Sequence, residues 1–84
     1  MHVIAELPQA DLKATIYGWN GKYLIKFETA MYEQTYKIKE IDVSGEEEIK
    51  SLLQNEEFMK KVRERFKGMS QDLFGALEDS GNFN

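Results

Sequence analysis

Apolar and polar residues alternate through the first half of the chain, and in the second half the apolar ones recur every three or four positions. The first period is that of strands and the second that of helices. Val3, Ala5 and Leu7 alternate with His2, Ile4 and Glu6, which predicts a strand over residues 2–7. Pro8 and Asp11 mark a loop. Further strands are expected over 12–19, 22–29 and 32–41, the last rich in Tyr, Thr and Ile. Between the second and third stands Asn20-Gly21, the dipeptide that most favours a two-residue type I′ hairpin, because both of its central positions need φ > 0.

That turn fixes a register. Trp19 falls opposite Lys22, Gly18 opposite Tyr23, Ile16 opposite Ile25 and Ala14 opposite Phe27. For the first pair of strands, setting Leu7 against Leu12, Ala5 against Ala14 and Val3 against Ile16 brings six apolar residues together. One face then carries Val3, Ala5, Leu7, Leu12, Ala14, Ile16, Tyr23, Ile25, Phe27, Tyr36 and Ile38, a core face. The other carries Ile4, Glu6, Thr15, Glu28, Glu33 and Thr35, together with Tyr17, Trp19, Leu24 and the lysines Lys13, Lys22, Lys26, Lys37 and Lys39.

Beyond Asp42-Val43-Ser44-Gly45 the period lengthens. Ser44 and Glu47 fit a capping box, and Glu46, Glu47 and Glu48 suit the positive end of a helix dipole. Ile49, Leu52 and Leu53 predict a helix over 45–54. Continuing it unbroken would put Glu56 on the apolar stripe, so a fresh start is expected with Asn55 as N-cap. The next helix, over 56–67, has Phe58, Met59, Val62 and Phe66 as its apolar face. Gly68 is suited to a C′ position, with a third helix over 71–78 carrying Leu73, Phe74 and Leu77. The alternative is one helix running through Gly68 at about 1 kcal/mol relative to alanine. Residues 80–84 read as a flexible tail. The fold expected is α+β: a single domain over 1–79, built as a four-stranded antiparallel β-meander with two to three C-terminal helices packed on one face.

Composition narrows the chemistry. Among 84 residues, 42% are hydrophobic and 12% aromatic, enough for a core. There is no cysteine, which removes disulfides, thiolate metal sites and a Cys nucleophile, and suits a reducing compartment. No apolar run approaches the ~20 residues that span a bilayer. The N-terminal segment lacks the basic region and long apolar run of a secretory signal. A soluble, cytoplasmic protein without membrane contact is therefore expected. The net charge of −4 runs against a dedicated nucleic-acid binder. Its acidic surplus lies mainly in residues 44–84, which hold nine Asp/Glu and six Lys/Arg, against six and five in residues 1–43.

No pattern of catalytic or metal-ligating residues emerges. His2 is the sole histidine, and the Glu46–Glu48 run has a capping role that needs no chemistry. Neither enzyme activity, a cofactor nor a metal is expected. Two surfaces remain as candidates for interaction. The first is the sheet face with Tyr17, Trp19, Leu24, Lys13, Lys22, Lys26, Lys37 and Lys39. Its plainest meaning is the solvated side of a one-sided sheet. It also suits a protein partner, or a single-stranded nucleic acid whose bases stack on aromatics while lysines meet phosphates. The second is Met69, Leu73, Phe74 and Leu77. The spacing Met59, Val62, Phe66, Met69, Leu73 steps by three and four like a coiled-coil seam, and the apolar surplus points to a homodimer. A non-enzymatic protein-interaction module is the leading functional expectation, with single-stranded nucleic-acid binding as the alternative.

Overall fold

The computed structural model describes residues 1–81 and shows an α+β fold. Four antiparallel strands, β1 (His2–Pro8), β2 (Lys13–Trp19), β3 (Lys22–Glu28) and β4 (Glu33–Lys39), pair in sequence order as a meander. A short 3-10 turn (Glu40–Asp42) follows, then helices α1 (Glu46–Leu52) and α2 (Glu56–Asp79).

The β2–β3 turn forms as its residues dictate, with Asn20 at φ 52° and Gly21 at φ 75°. All four expected cross-strand partners follow: Trp19 with Lys22, Gly18 with Tyr23, Ile16 with Ile25 and Ala14 with Phe27. The β1–β2 register differs from the expected one. Leu7 faces Ala14, Ala5 faces Ile16 and Val3 faces Tyr17, with a bulge between Val3 and Ala5. The cause is the connection. Gln9 N–H donates to the Leu12 carbonyl at 2.8 Å, so Leu12 closes the turn instead of pairing with Leu7. A slip of two keeps Ala5 and Leu7 on the core side. The bulge then exchanges the roles of the next two residues: Ile4 packs against the core, and Val3 joins the open face. Gly18 makes this closure possible. A Cβ there would stand 2.6 Å from His2 Cε1 and 3.1 Å from Ile4 Cδ1.

The strand expected to reach residue 41 stops at Lys39, the partner of Lys22, because β3 offers nothing further to pair with. Glu40 N–H donates instead to the Gly21 carbonyl at 3.0 Å, and Ile41 is left 89% exposed. The expected capping box is also displaced by one residue. Gly45, at φ 150°, is the N-cap of α1, and the Glu48 carboxylate accepts from both the amide and the hydroxyl of Ser44, each at 3.3 Å. Asn55 caps α2 as its sequence predicts, its Oδ1 accepting from Phe58 N–H at 3.0 Å.

The expected break at Gly68 and the separate third helix do not occur. Among the described residues there are two α-helices, and α2 runs unbroken for 24 residues. Met69 continues the core-facing stripe across Gly68, so packing on both sides offsets the glycine's propensity cost. Ser80 and Gly81 close the helix through bonds to the Ala76 and Glu78 carbonyls. The rest of the expected tail, 82–84, lies outside the described residues.

The core lies between the sheet and the helices. Ala14, Ile16, Ile25 and Phe27 of the two central strands are fully buried beneath Ile49, Leu53, Met59, Val62 and Phe66. Phe58 extends this cover to β4, its ring 5.9 Å from Phe27 and 5.5 Å from Tyr36 between centroids. Polar bonds fix where α2 crosses. Gln34 Nε2 donates to the Val62 carbonyl at 2.9 Å, and Arg65 Nη1 donates to Tyr36 Oη at 2.9 Å. On the other side Arg63 donates to Asp11 Oδ2 at 2.7 Å and also to Gln9. The crossing is thus held at the sheet end bearing the β1–β2 and β3–β4 turns. Among the described residues, no helix lies on the opposite face of the sheet.

Candidate interaction face

The helix-free face is built in four rows by the cross-strand registers. Nearest the Asn20-Gly21 turn stand Trp19, Lys22 and Lys39. Val3, Tyr17, Leu24 and Lys37 form the next row, then Glu6, Thr15, Lys26 and Thr35, and last Lys13, Glu28 and Glu33. The eight candidate side chains Lys13, Tyr17, Trp19, Lys22, Leu24, Lys26, Lys37 and Lys39 therefore share one side of the sheet. Beside Tyr17 and Leu24 lies a shallow hollow of about 250 Å3, rimmed by Met1, Lys26, Glu33 and Thr35. Leu24 is only 9% exposed although no helix covers it, which long neighbouring side chains on an open sheet achieve through their alkyl stems. Trp19 is 47% exposed.

Charge divides this face into two unlike halves. Glu28 and Glu33 stand directly opposite each other, a like-charge pair that opposes sheet formation. Lys26 resolves it, with Nζ 3.8 Å from Glu28 and 3.2 Å from Glu33. The hydrogen bond to Glu33, and then the field of Glu28, hold the Lys26 ammonium above its ordinary pKa. Lys13 is likewise 3.5 Å from Glu6. At the other end Lys22 and Lys39 also stand directly opposite each other. Among the described residues, neither they nor Lys37 makes an ion pair.

Of the five lysines, two are thus structural and three are uncompensated. The alternating pattern of the sequence put all five on one face without distinguishing them. The distinction requires the β3–β4 register, which no turn motif specifies because Ala30-Met31 contains neither Gly nor Pro. Val3 reaches this face only through the β1 bulge, and no sequence signal marked it.

The second candidate group sits on one helix. Met69 is half-buried at the edge of the core and Leu77 is half-buried, while Leu73 and Phe74 are exposed. Another hollow, of about 490 Å3, lies apart from both groups. Leu53 and Met59 floor it, and its rim holds acids and bases of both signs, including Glu56, Lys60, Glu64 and Lys67. No group of three or more His, Asp or Glu side chains among the described residues is placed to hold a metal ion. No helix among them is long and apolar enough to cross a membrane. Comparison with protein-family models, with curated proteins and with solved structures finds no match.

Proposed function

We propose that this chain is a non-enzymatic interaction module that takes an acidic segment of a partner protein on the turn end of its open sheet face. The uncompensated Lys22–Lys39 pair carries this reading. Two like charges placed opposite each other in a sheet cost roughly 0.2–1 kcal/mol of stability. A carboxylate bound between them would do for this pair what Lys26 does for Glu28 and Glu33, with the sign reversed. Lys37 adds a third charge, and Trp19 supplies an exposed aromatic of the kind that anchors protein interfaces.

Single-stranded nucleic acid is the second reading. Trp19 beside three unpaired lysines also suits a base stacked on the indole with phosphates on the ammonium groups. The carboxylates of Glu6, Glu28 and Glu33 on the same face weigh against a longer nucleic-acid path.

A titration followed by amide chemical shifts separates the two. At low salt, an Asp/Glu-rich peptide should move the signals of Trp19, Lys22, Lys37 and Lys39 and leave those of Lys13 and Lys26 in place. An oligothymidylate of similar length should bind more weakly. Tighter binding of the oligonucleotide would replace the first reading with the second, and no shift with either probe would remove both.

A further inference from the structure

The apolar stripe of α2 continues past the end of the sheet. Met59, Val62 and Phe66 are buried on the sheet, Met69 packs at the core's edge, and Leu73 and Leu77 extend the same line. A 24-residue helix is about 36 Å long, whereas seven-residue strands reach about 24 Å. The bond that Gln34 donates to the Val62 carbonyl and the one that Arg63 donates to Asp11 pin the crossing at the end of the strands. The last ten residues of α2 therefore overhang, which agrees with a longest molecular extent of 49 Å. Leu73, on this overhang, is 45% exposed. At the same end of the sheet Met31, in the β3–β4 turn, is 72% exposed, and Leu7 on β1 is also exposed. Helix underside and sheet end together make an apolar step.

Charge along α2 identifies what fits the step. From residue 68 onward the helix carries Asp72, Glu78 and Asp79 and no base. Acids in a last turn oppose the helix dipole, so a cation from elsewhere is favoured there. Lys60 and Lys67, in the first half, make no ion pair among the described residues. One helix thus holds an unmatched acidic end and unmatched bases ahead of it, the order that pairs with itself when reversed.

We infer that a second copy of this chain fills the step. The overhanging ends of two α2 helices pair antiparallel about a two-fold axis at Leu73, with Leu73 of one copy against Leu73 of the other and each Leu77 against the partner's Met69. Each acidic end then lies alongside the partner's Lys67. A parallel pair would set acid against acid. The overlap is small beside the ~1,200 Å2 at the lower end of stable complexes, so association depends on concentration. This surface is distinct from the open sheet face, and the two inferences stand or fall separately.

Sedimentation equilibrium from about 1 μM to 1 mM tests the pairing. The mass should rise from 9.8 kDa towards twice that value. Leu73→Asp should weaken association by more than about tenfold, since it removes an apolar contact from both copies. Leu73 lies outside the core, so the variant should keep its circular dichroism spectrum. Lys67→Glu should weaken association about two- to fivefold at low salt, and adding Glu78→Lys should restore it. A 9.8 kDa monomer across the whole range would overturn the inference and leave the step to a different protein. Association without rescue in the double variant would overturn the antiparallel arrangement.

Discussion

Lys22 and Lys39 face each other across β3 and β4 with no ion-pair partner among the described residues, while six positions further along the same strand pair Glu28 and Glu33 are clamped by Lys26. Like-charge contacts of this kind are expected to work against folding. The two pairs therefore respond in opposite ways to the removal of a lysine.

Lys39→Glu turns the Lys22 contact into an attractive one. It should stabilise the fold by roughly 0.2–1 kcal/mol in urea denaturation. The same substitution should reduce binding of an acidic peptide. Gain of stability with loss of binding is the signature of a site held against the preference of the fold. A variant less stable than the native chain would show that the pair is not repulsive.

Lys26→Gln should have the reverse effect and lower the melting temperature, because it releases the repulsion between Glu28 and Glu33. Adding Glu33→Gln should recover most of the loss. The raised pKa of Lys26 gives a sign for pH as well. Its contribution is complete below the ordinary lysine pKa and fades as pH rises through the higher folded value. The native chain should lose stability in that alkaline range more steeply than Lys26→Gln does.

Asp11 behaves in the opposite sense. The hydrogen bond from Arg63 holds its carboxyl below the usual range, so its contribution is complete above the ordinary aspartate pKa and is lost as pH falls through the lower folded value. Asp11→Asn should remove this part of the acid dependence. The two melting temperatures should differ at neutral pH and converge in strong acid. A constant difference down to low pH would show that the contact to Arg63 does not depend on the charge of Asp11.

Gly68→Ala distinguishes a continuous helix from a broken one. Added at a helical position where a Cβ meets nothing within 4 Å, the methyl should stabilise the protein by about 1 kcal/mol or less. A glycine holding a left-handed helix terminus would respond with destabilisation. The sign of the change in urea midpoint is therefore sufficient.

What the sequence conveyed, and what it did not, divides along local and non-local causes. Asn20-Gly21 and Asn55 act through backbone dihedrals and capping bonds within three residues, and both could be placed from sequence. The β1 register depended on how four connecting residues would close, and on Gly18 admitting His2 and Ile4 from another strand. The continuity of α2 through Gly68 depended on Met69 finding the core. Likewise, the five sheet lysines were visible as a set, yet only tertiary pairing separates those with glutamate partners from those without.

The central claim is that the Lys22–Lys39 end of the open face binds a carboxylate-bearing segment. Trp19 is the only tryptophan in the chain, so its fluorescence reports on that end alone. The most direct measurement is a titration of the native chain and of Lys39→Glu with an Asp/Glu-rich peptide at two salt concentrations. The expected result is a saturable change in Trp19 emission that weakens with salt and is lost in Lys39→Glu. An unchanged Trp19 signal at low salt, or an equal response from the two chains, would contradict it.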